Sequence, residues 1–147
     1  MNKLDNIYIE KAYERIKGKI LKTPLIFNEH ISRLTNAEVF FKLENLQWTG
    51  SFKLRGAMNK ISLLSSSEKK NGVVAYSSGN HAQAVAYASQ LHNINSTIIM
   101  PSNAPQIKIN NTKKSGAKII LYDPTKESRE NIGEKGYEMS KWTAIST

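Results

Sequence analysis

The sequence predicts an α/β fold: a parallel sheet in a three-layer α/β/α arrangement. Three observations carry this expectation. From Gly72 onward, the strand-like runs Val73–Tyr76, Ser96–Met100 and Ala117–Tyr122 alternate with stretches of helical pattern, the rhythm of parallel strands joined by right-handed crossovers. The block from Gly72 to Ile107 holds no Asp, Glu, Lys or Arg, as expected of strands covered on both faces. A chain of 147 residues, 39% of them hydrophobic, is long enough to bury a core without cross-links.

Each element follows from local pattern. Asn6 to Lys17 sets Ile7, Ala12, Tyr13 and Ile16 at helical spacing, with Gly18 as the stop. Thr23-Pro24-Leu25 is extended, because proline biases its predecessor away from the helical region. Glu38 to Glu44 is a strand by its β-branched and aromatic content. Asn45 to Gly50 is a loop, Ser51 the expected N-cap of a helix from Phe52 to about Leu64, and Ser65-Ser66-Ser67 ends that pattern. After the strand at Val73, Ser77 to Asn80 turns the chain into a helix over His81–His92, with Ala84, Ala88 and Leu91 on one face. Ala104 to Lys114 is the next helix, and Asp123-Pro124-Thr125 opens a last one to about Lys141. A break near residues 65–72 is a candidate domain boundary, after an N-terminal part too poor in strands to form a closed sheet alone.

Charge and composition exclude several function classes. The 21 Lys and Arg against 12 Asp and Glu give +9, which raises nucleic acid or an anionic membrane as a partner. The lysines, however, are interspersed with acids, as in Glu10-Lys11 and Glu68-Lys69-Lys70, and no basic helix is interleaved with aromatics. They read as a solvated face. The absence of cysteine excludes a disulfide framework, a thiolate nucleophile and a cysteine zinc site, and His30, His81 and His92 lack zinc-type spacing. No apolar run approaches the roughly 20 residues that span a bilayer, and the polar start has no secretory core. The expectation is a cytoplasmic protein with no metal, no membrane and no nucleic-acid partner.

Two segments can carry chemistry. In Gly50-Ser51-Phe52-Lys53-Leu54-Arg55-Gly56-Ala57 a lysine stands in the first turn of a helix after a strand and a Gly-Ser turn. The partial positive charge of a helix start, with Arg55 close behind, is expected to lower its proton affinity, which suits an amine meant to attack a carbonyl. The plain alternative is an exposed lysine on an amphipathic helix. In Ser77-Ser78-Gly79-Asn80-His81 the glycine permits a tight strand-to-helix turn, and the N–H groups beyond it can bind a carboxylate or phosphate. The alternative there is that Ser78 or Asn80 merely caps the helix. The G-x-S-x-G elbow of serine hydrolases is absent.

The successive segments GSFKLRGA and SSGNHAQA resemble those of the fold-type II pyridoxal-phosphate enzymes, in the threonine/serine dehydratase and serine racemase branch. Thr23-Pro24-Leu25, Lys42-x-Glu44-x-x-Gln47 and Asp123-Pro124-x-x-Glu127-Ser128-Arg129-Glu130-Asn131 extend the resemblance over nearly the whole chain, and the apolar Leu54 favours this branch over cysteine-synthase and threonine-synthase relatives. The resemblance implies a tryptophan-synthase-β-like fold and pyridoxal 5'-phosphate as cofactor. It makes Lys53 the amine bonded to the cofactor aldehyde, sets Phe52 beside the ring and places Asn80 on the phenolic oxygen. Ser77, Asn80 and His81 would hold the substrate carboxylate, joined by Arg129 on domain closure. Ser78 matches the racemase serine that exchanges the Cα proton on the face opposite the lysine. The implied reaction takes the Cα proton with Lys53, expels the β-hydroxyl, and ends in a 2-oxo acid and ammonia from L-threonine or L-serine. A serine or amino-acid racemase and a non-catalytic α/β remnant are the alternatives.

The resemblance further makes residues 1–71 the N-terminal part of the large cofactor-binding domain and 72–147 the small domain, in an enzyme that is a homo-oligomer at full length. The family's glycine-rich phosphate cup has no counterpart among the eight glycines, and Tyr137 to Thr147 departs from the family pattern. The expectation is therefore a truncated N-terminal portion with little or no activity alone.

Overall fold

Local patterning produces most of the observed elements in a computed structural model, which describes residues 6–128, 132 and 142–146. Helix α1 (Asn6–Ile16) ends ahead of Gly18 and buries Ile16. Strand β1 (Leu25–Phe27) continues from Thr23-Pro24 and pairs antiparallel with β2 (Phe40–Lys42), Ile26 opposite Phe41. Between them lies α2 (Glu29–Thr35), unassigned from the sequence. Asn28 caps it by accepting from the Ile31 N–H, and Asn36 closes it in the left-handed region at φ 51°, which asparagine tolerates.

A 3₁₀ turn (Glu44–Leu46) leads to α3 (Lys53–Ser62). The helix pattern ends ahead of the serine run, as expected, and the run then starts α4 (Ser66–Asn71) through a reciprocal capping box between Ser65 and Glu68. Gly72 then carries the chain from α4 into the sheet at φ 90°, where a Cβ would lie 2.8 Å from the Asn95 carbonyl oxygen. Only glycine fits that approach without strain.

The predicted alternation follows: β3 (Val73–Tyr76), α5 (Asn80–Leu91), β4 (Ser96–Pro101), α6 (Gln106–Lys114) and β5 (Lys118–Tyr122). A short β6 (Thr143–Ala144), not expected from the sequence, completes a parallel sheet of order β5-β4-β3-β6. Its ladder bonds run from Thr143 N to Gly72 O at 3.0 Å and from Ile145 N to Val74 O at 2.9 Å. The charge-free strands β3 and β4 occupy the centre and are buried, whereas β5 lies at an edge and exposes Lys118 and Leu121. Of the helix expected to open at Asp123, the start is a turn in which the Asp123 carboxylate accepts from the Thr125 N–H and hydroxyl. Most of its remaining length lies outside the described residues.

One hydrophobic cluster includes Ile16 and Ile20, Leu54, Ala57, Met58 and Ile61 of α3, the alanines and Val85 of α5, Ile98 and Met100 of β4, and Ile145. Helix α3 packs directly on α5, whose small side chains permit a close approach. This contact sets the first turn of α3 beside the first turn of α5. The β1–β2 ribbon is different: Leu25, Ile26, Phe27, Phe40 and Phe41 are each between 43% and 63% exposed. Two strands are marginal alone, and this is apolar surface of the kind another structural element covers. No helix among the described residues is long and apolar enough to cross a membrane.

Candidate active site

Lys53 is the first residue of α3. Phe52 precedes it in right-handed helical conformation and supplies no side-chain cap. Ser51, expected as the cap, is instead buried, and its hydroxyl has no hydrogen-bond partner among the described residues. The chain enters the helix through a tighter turn, Arg55 N to Phe52 O at 3.0 Å, so the serine sits one residue too early to cap. Lys53 Nζ lies 5.3 Å from the centroid of the Phe52 ring, a cation–π distance.

A polar clamp holds this turn. Glu44 accepts from Arg55 Nε at 2.9 Å and Nη2 at 2.7 Å, and from the Thr23 hydroxyl. Lys42 Nζ donates to Thr23 O. Gln47 accepts from the Leu21 N–H at 2.9 Å and returns Nε2 to Leu21 O at 3.0 Å. The Thr23, Lys42, Glu44 and Gln47 motif positions thus tie residues 21–23 to the loop and first turn that carry Lys53. Arg55 belongs to this clamp. The guanidinium that the sequence set beside Lys53 is paired with Glu44, which corrects its expected role as a neighbouring field.

The hydrogen bonds from Arg55 hold the Glu44 carboxyl below the usual carboxylate range, against an opposing effect of burial. A depressed carboxyl contributes stability above its unfolded value, near about 4.3 for glutamate, and loses it as pH falls through the folded value. Glu44→Gln is expected to cost about 1.5–3 kcal/mol at pH 7, the range of hydrogen bonds to a charged group. The gap from wild type should close on acidification below about pH 4. Chemical melts from pH 3 to 7 check this; a gap that stays constant with pH would refute it.

The second segment lies between β3 and α5. Ser77 N donates to Ile99 O at 3.1 Å, and the Ser77 hydroxyl accepts from the Gly79 N–H at 3.3 Å. Gly79 precedes the helix and no side chain caps it, so neither Ser78 nor Asn80 plays the cap role. Ser78 and Asn80 are exposed. His81 is buried, with Nε2 3.0 Å from Ile145 O; a carbonyl only accepts, so Nε2 carries the proton. Asn80 Oδ1 accepts from Lys108 Nζ at 2.7 Å.

The two segments meet in one cavity of about 230 Å³, whose walls include Phe52, Lys53, Lys60, His81, Ile145 and Ser146. Ser77 and Ser78, in the turn ahead of α5, and Asn80, its first residue, do not belong to these walls. Arg129 lies outside the described residues. Lys60, Ile145 and Ser146 were missed from sequence. Lys60 follows Lys53 by two helical turns and was detectable as the same face of α3; the last two arrive only because β6 joins the sheet.

The donor set fits one end of pyridoxal phosphate: an amine for the aldehyde, an exposed aromatic ring as a wall, and a polar helix start for an oxyanion. The cavity is smaller than the roughly 300–1,000 Å³ of complete small-molecule sites. No cluster of glycines offers a phosphate cradle.

Comparison with known proteins agrees with this donor set. Residues 16–147 match the family described as pyridoxal-phosphate dependent enzyme. The chain is 45% identical over 135 residues to an L-threo-3-hydroxyaspartate ammonia-lyase of a Pseudomonas species, covering 92% of the chain and 42% of that protein. It is 47% identical over 131 residues to the L-threonine ammonia-lyase of Thermotoga maritima, covering 86% and 33%. Maize serine racemase superposes with a TM-score of 0.90 at 39% identity, over 97% of this chain and 43% of that one. The chain therefore spans less than half the length of these relatives. Since the family match runs through both the Lys53 turn and the Ser77–His81 loop, the chain belongs to the pyridoxal-phosphate dependent enzymes.

Proposed function

We propose that this chain is the cofactor-attaching portion of an ammonia-lyase that removes water and ammonia from L-threonine or L-serine to give a 2-oxo acid. The observation that carries the proposal is the shared cavity, in which Lys53 and Phe52 face His81. When bound, pyridoxal phosphate supplies the electron sink that makes an amino acid's Cα–H acidic. Lys53 would hold the cofactor through Nζ, and the same amine would take the Cα proton and deliver a proton to the departing β-hydroxyl. Phe52 would flank the cofactor ring and Asn80 would donate to its phenolic oxygen. Ser77, Asn80 and His81, through the N–H groups of the helix start, and Arg129 would hold the substrate carboxylate, for which a helix start has the right polarity.

A second reading, an amino-acid racemase, draws support from Ser78, which is exposed beside the start of α5 and would exchange the Cα proton on the face opposite the lysine. With the leading reading go residues 1–71 as the start of a large domain, residues 72–147 as the small one, a homo-oligomeric full-length enzyme and a cytoplasmic location.

Purified chain incubated with pyridoxal phosphate, reduced with borohydride and digested should carry the label on Lys53. Release of 2-oxo acid from L-threonine should be slight, because no glycine cradle holds the phosphate. Labelling spread evenly over surface lysines, and unchanged in Lys53→Ala, would reject the site; robust turnover would reject the expected inactivity. D-Serine formed from L-serine would select the racemase reading.

A further inference from the structure

Asn80 is exposed at the start of α5, and among the described residues its side-chain amide is hydrogen-bonded by Lys108. We propose that Lys108 is a positioning residue for Asn80: by occupying Oδ1 it leaves Nδ2 as the atom presented to a ligand, so that this helix start selects an oxyanion. The inference rests on the reading of Asn80 as the donor to the cofactor's phenolic oxygen.

The chemistry of the pair is one-sided. An ammonium has three donors and no acceptor, so at 2.7 Å Lys108 Nζ faces Oδ1 and excludes the flipped amide. An Asn80 with Oδ1 outward would repel an oxyanion; held this way it donates. The ammonium also adds positive charge beside the bound oxygen, which strengthens the charge-assisted bond.

The contact is built into the packing of α5 against α6. One turn further on, Asn111 Nδ2 donates to Gln83 Oε1 at 3.1 Å. Asn80 and Gln83 are three apart on α5, as Lys108 and Asn111 are on α6, so the two bonds form successive rungs between facing helix sides. Helix α6 is itself held in place. Lys108 N bonds Pro105 O at 2.8 Å, and the fully buried Thr112 donates its hydroxyl to Lys108 O at 2.8 Å. The lysine stem therefore starts from a fixed backbone and reaches across to a side chain that nothing else among the described residues orients.

The test compares Lys108→Met, which removes the donor, with Lys108→Arg, which keeps it, on wild-type and Asn80→Ala backgrounds. Readouts are the dissociation constant for pyridoxal phosphate, the absorbance maximum of the attached cofactor, and the Asn80 side-chain amide signals in NMR spectra recorded without cofactor. Lys108→Met is expected to weaken binding about tenfold, the value of one such hydrogen bond, to move the absorbance maximum and to shift the amide signals. Lys108→Arg should restore all three. On Asn80→Ala, Lys108→Met should add nothing. If Asn80→Ala weakens binding while Lys108→Met matches wild type, the positioning role is overturned and the Asn80 reading stands. If Asn80→Ala binds as wild type does, the Asn80 reading falls and this inference with it; amide signals unmoved by Lys108→Met, a readout that needs no cofactor, overturn the positioning role.

Discussion

Lys53→Ala is expected to end covalent capture of pyridoxal phosphate and, in an enzyme carrying this segment at full length, to cut 2-oxo acid release by about 10²–10⁴-fold, the usual contribution of a positioned acid–base group. The fold should not change. Lys53 is partly exposed on the first turn of α3, and its ammonium contacts the Phe52 ring rather than the buried cluster. Alanine is a better helix former at that position, so the melting midpoint should stay within the small range of surface substitutions, about ±0.5 kcal/mol. Absorbance after cofactor addition and a denaturation curve measured together decide the matter. A variant that keeps its cofactor band, or one that loses stability first, would show the lysine to be structural.

Leu54→Ala, one residue on, is expected to act through stability instead, at a cost of about 2–5 kcal/mol. Leu54 is fully buried in the cluster that joins α3 to α5, so truncation leaves a cavity where the two helix starts meet. Leu54→Met, which conserves volume, should cost less than about 1.5 kcal/mol. Leu54→Asp would bury an unpaired carboxylate and should not fold. Urea melts of the first two variants test this; a loss well under 1 kcal/mol for alanine would mean that α3 is not held by this contact. The prediction has a functional edge, because the packing that buries Leu54 also sets the direction in which Lys53 leaves the helix.

The sequence already contained more than was read from it in places. Ser65 and Glu68 form a capping box three residues apart, yet the serine run looked like a break. Asn28 and Asn36 bracket α2 with a cap at each end, but seven residues are too few for a periodic signal. Ser51 looked like a cap and is not one, because Phe52 is already helical and moves the helix start on by a residue. The two-residue β6 has no signature of its own; it exists because the β3 edge offers Gly72 O and Val74 O as acceptors.

Local physics accounts for what could be read early. Strand and helix periods, turn residues and the exclusion of charge from doubly covered strands depend on near neighbours, so the α/β alternation and both chemical segments were visible in the chain itself. Pairing between distant residues depends on how elements pack, and no local pattern encodes it. Three-dimensional packing alone turned Arg55 to Glu44, brought Lys53 and His81 to one cavity, and joined His81 to Ile145 across 64 residues and Asn80 to Lys108 across 28. Each contact requires two elements to approach within a hydrogen-bond length or a cavity's width, and that approach is set by the packing of α5 against α3 and α6 and by the β6 edge.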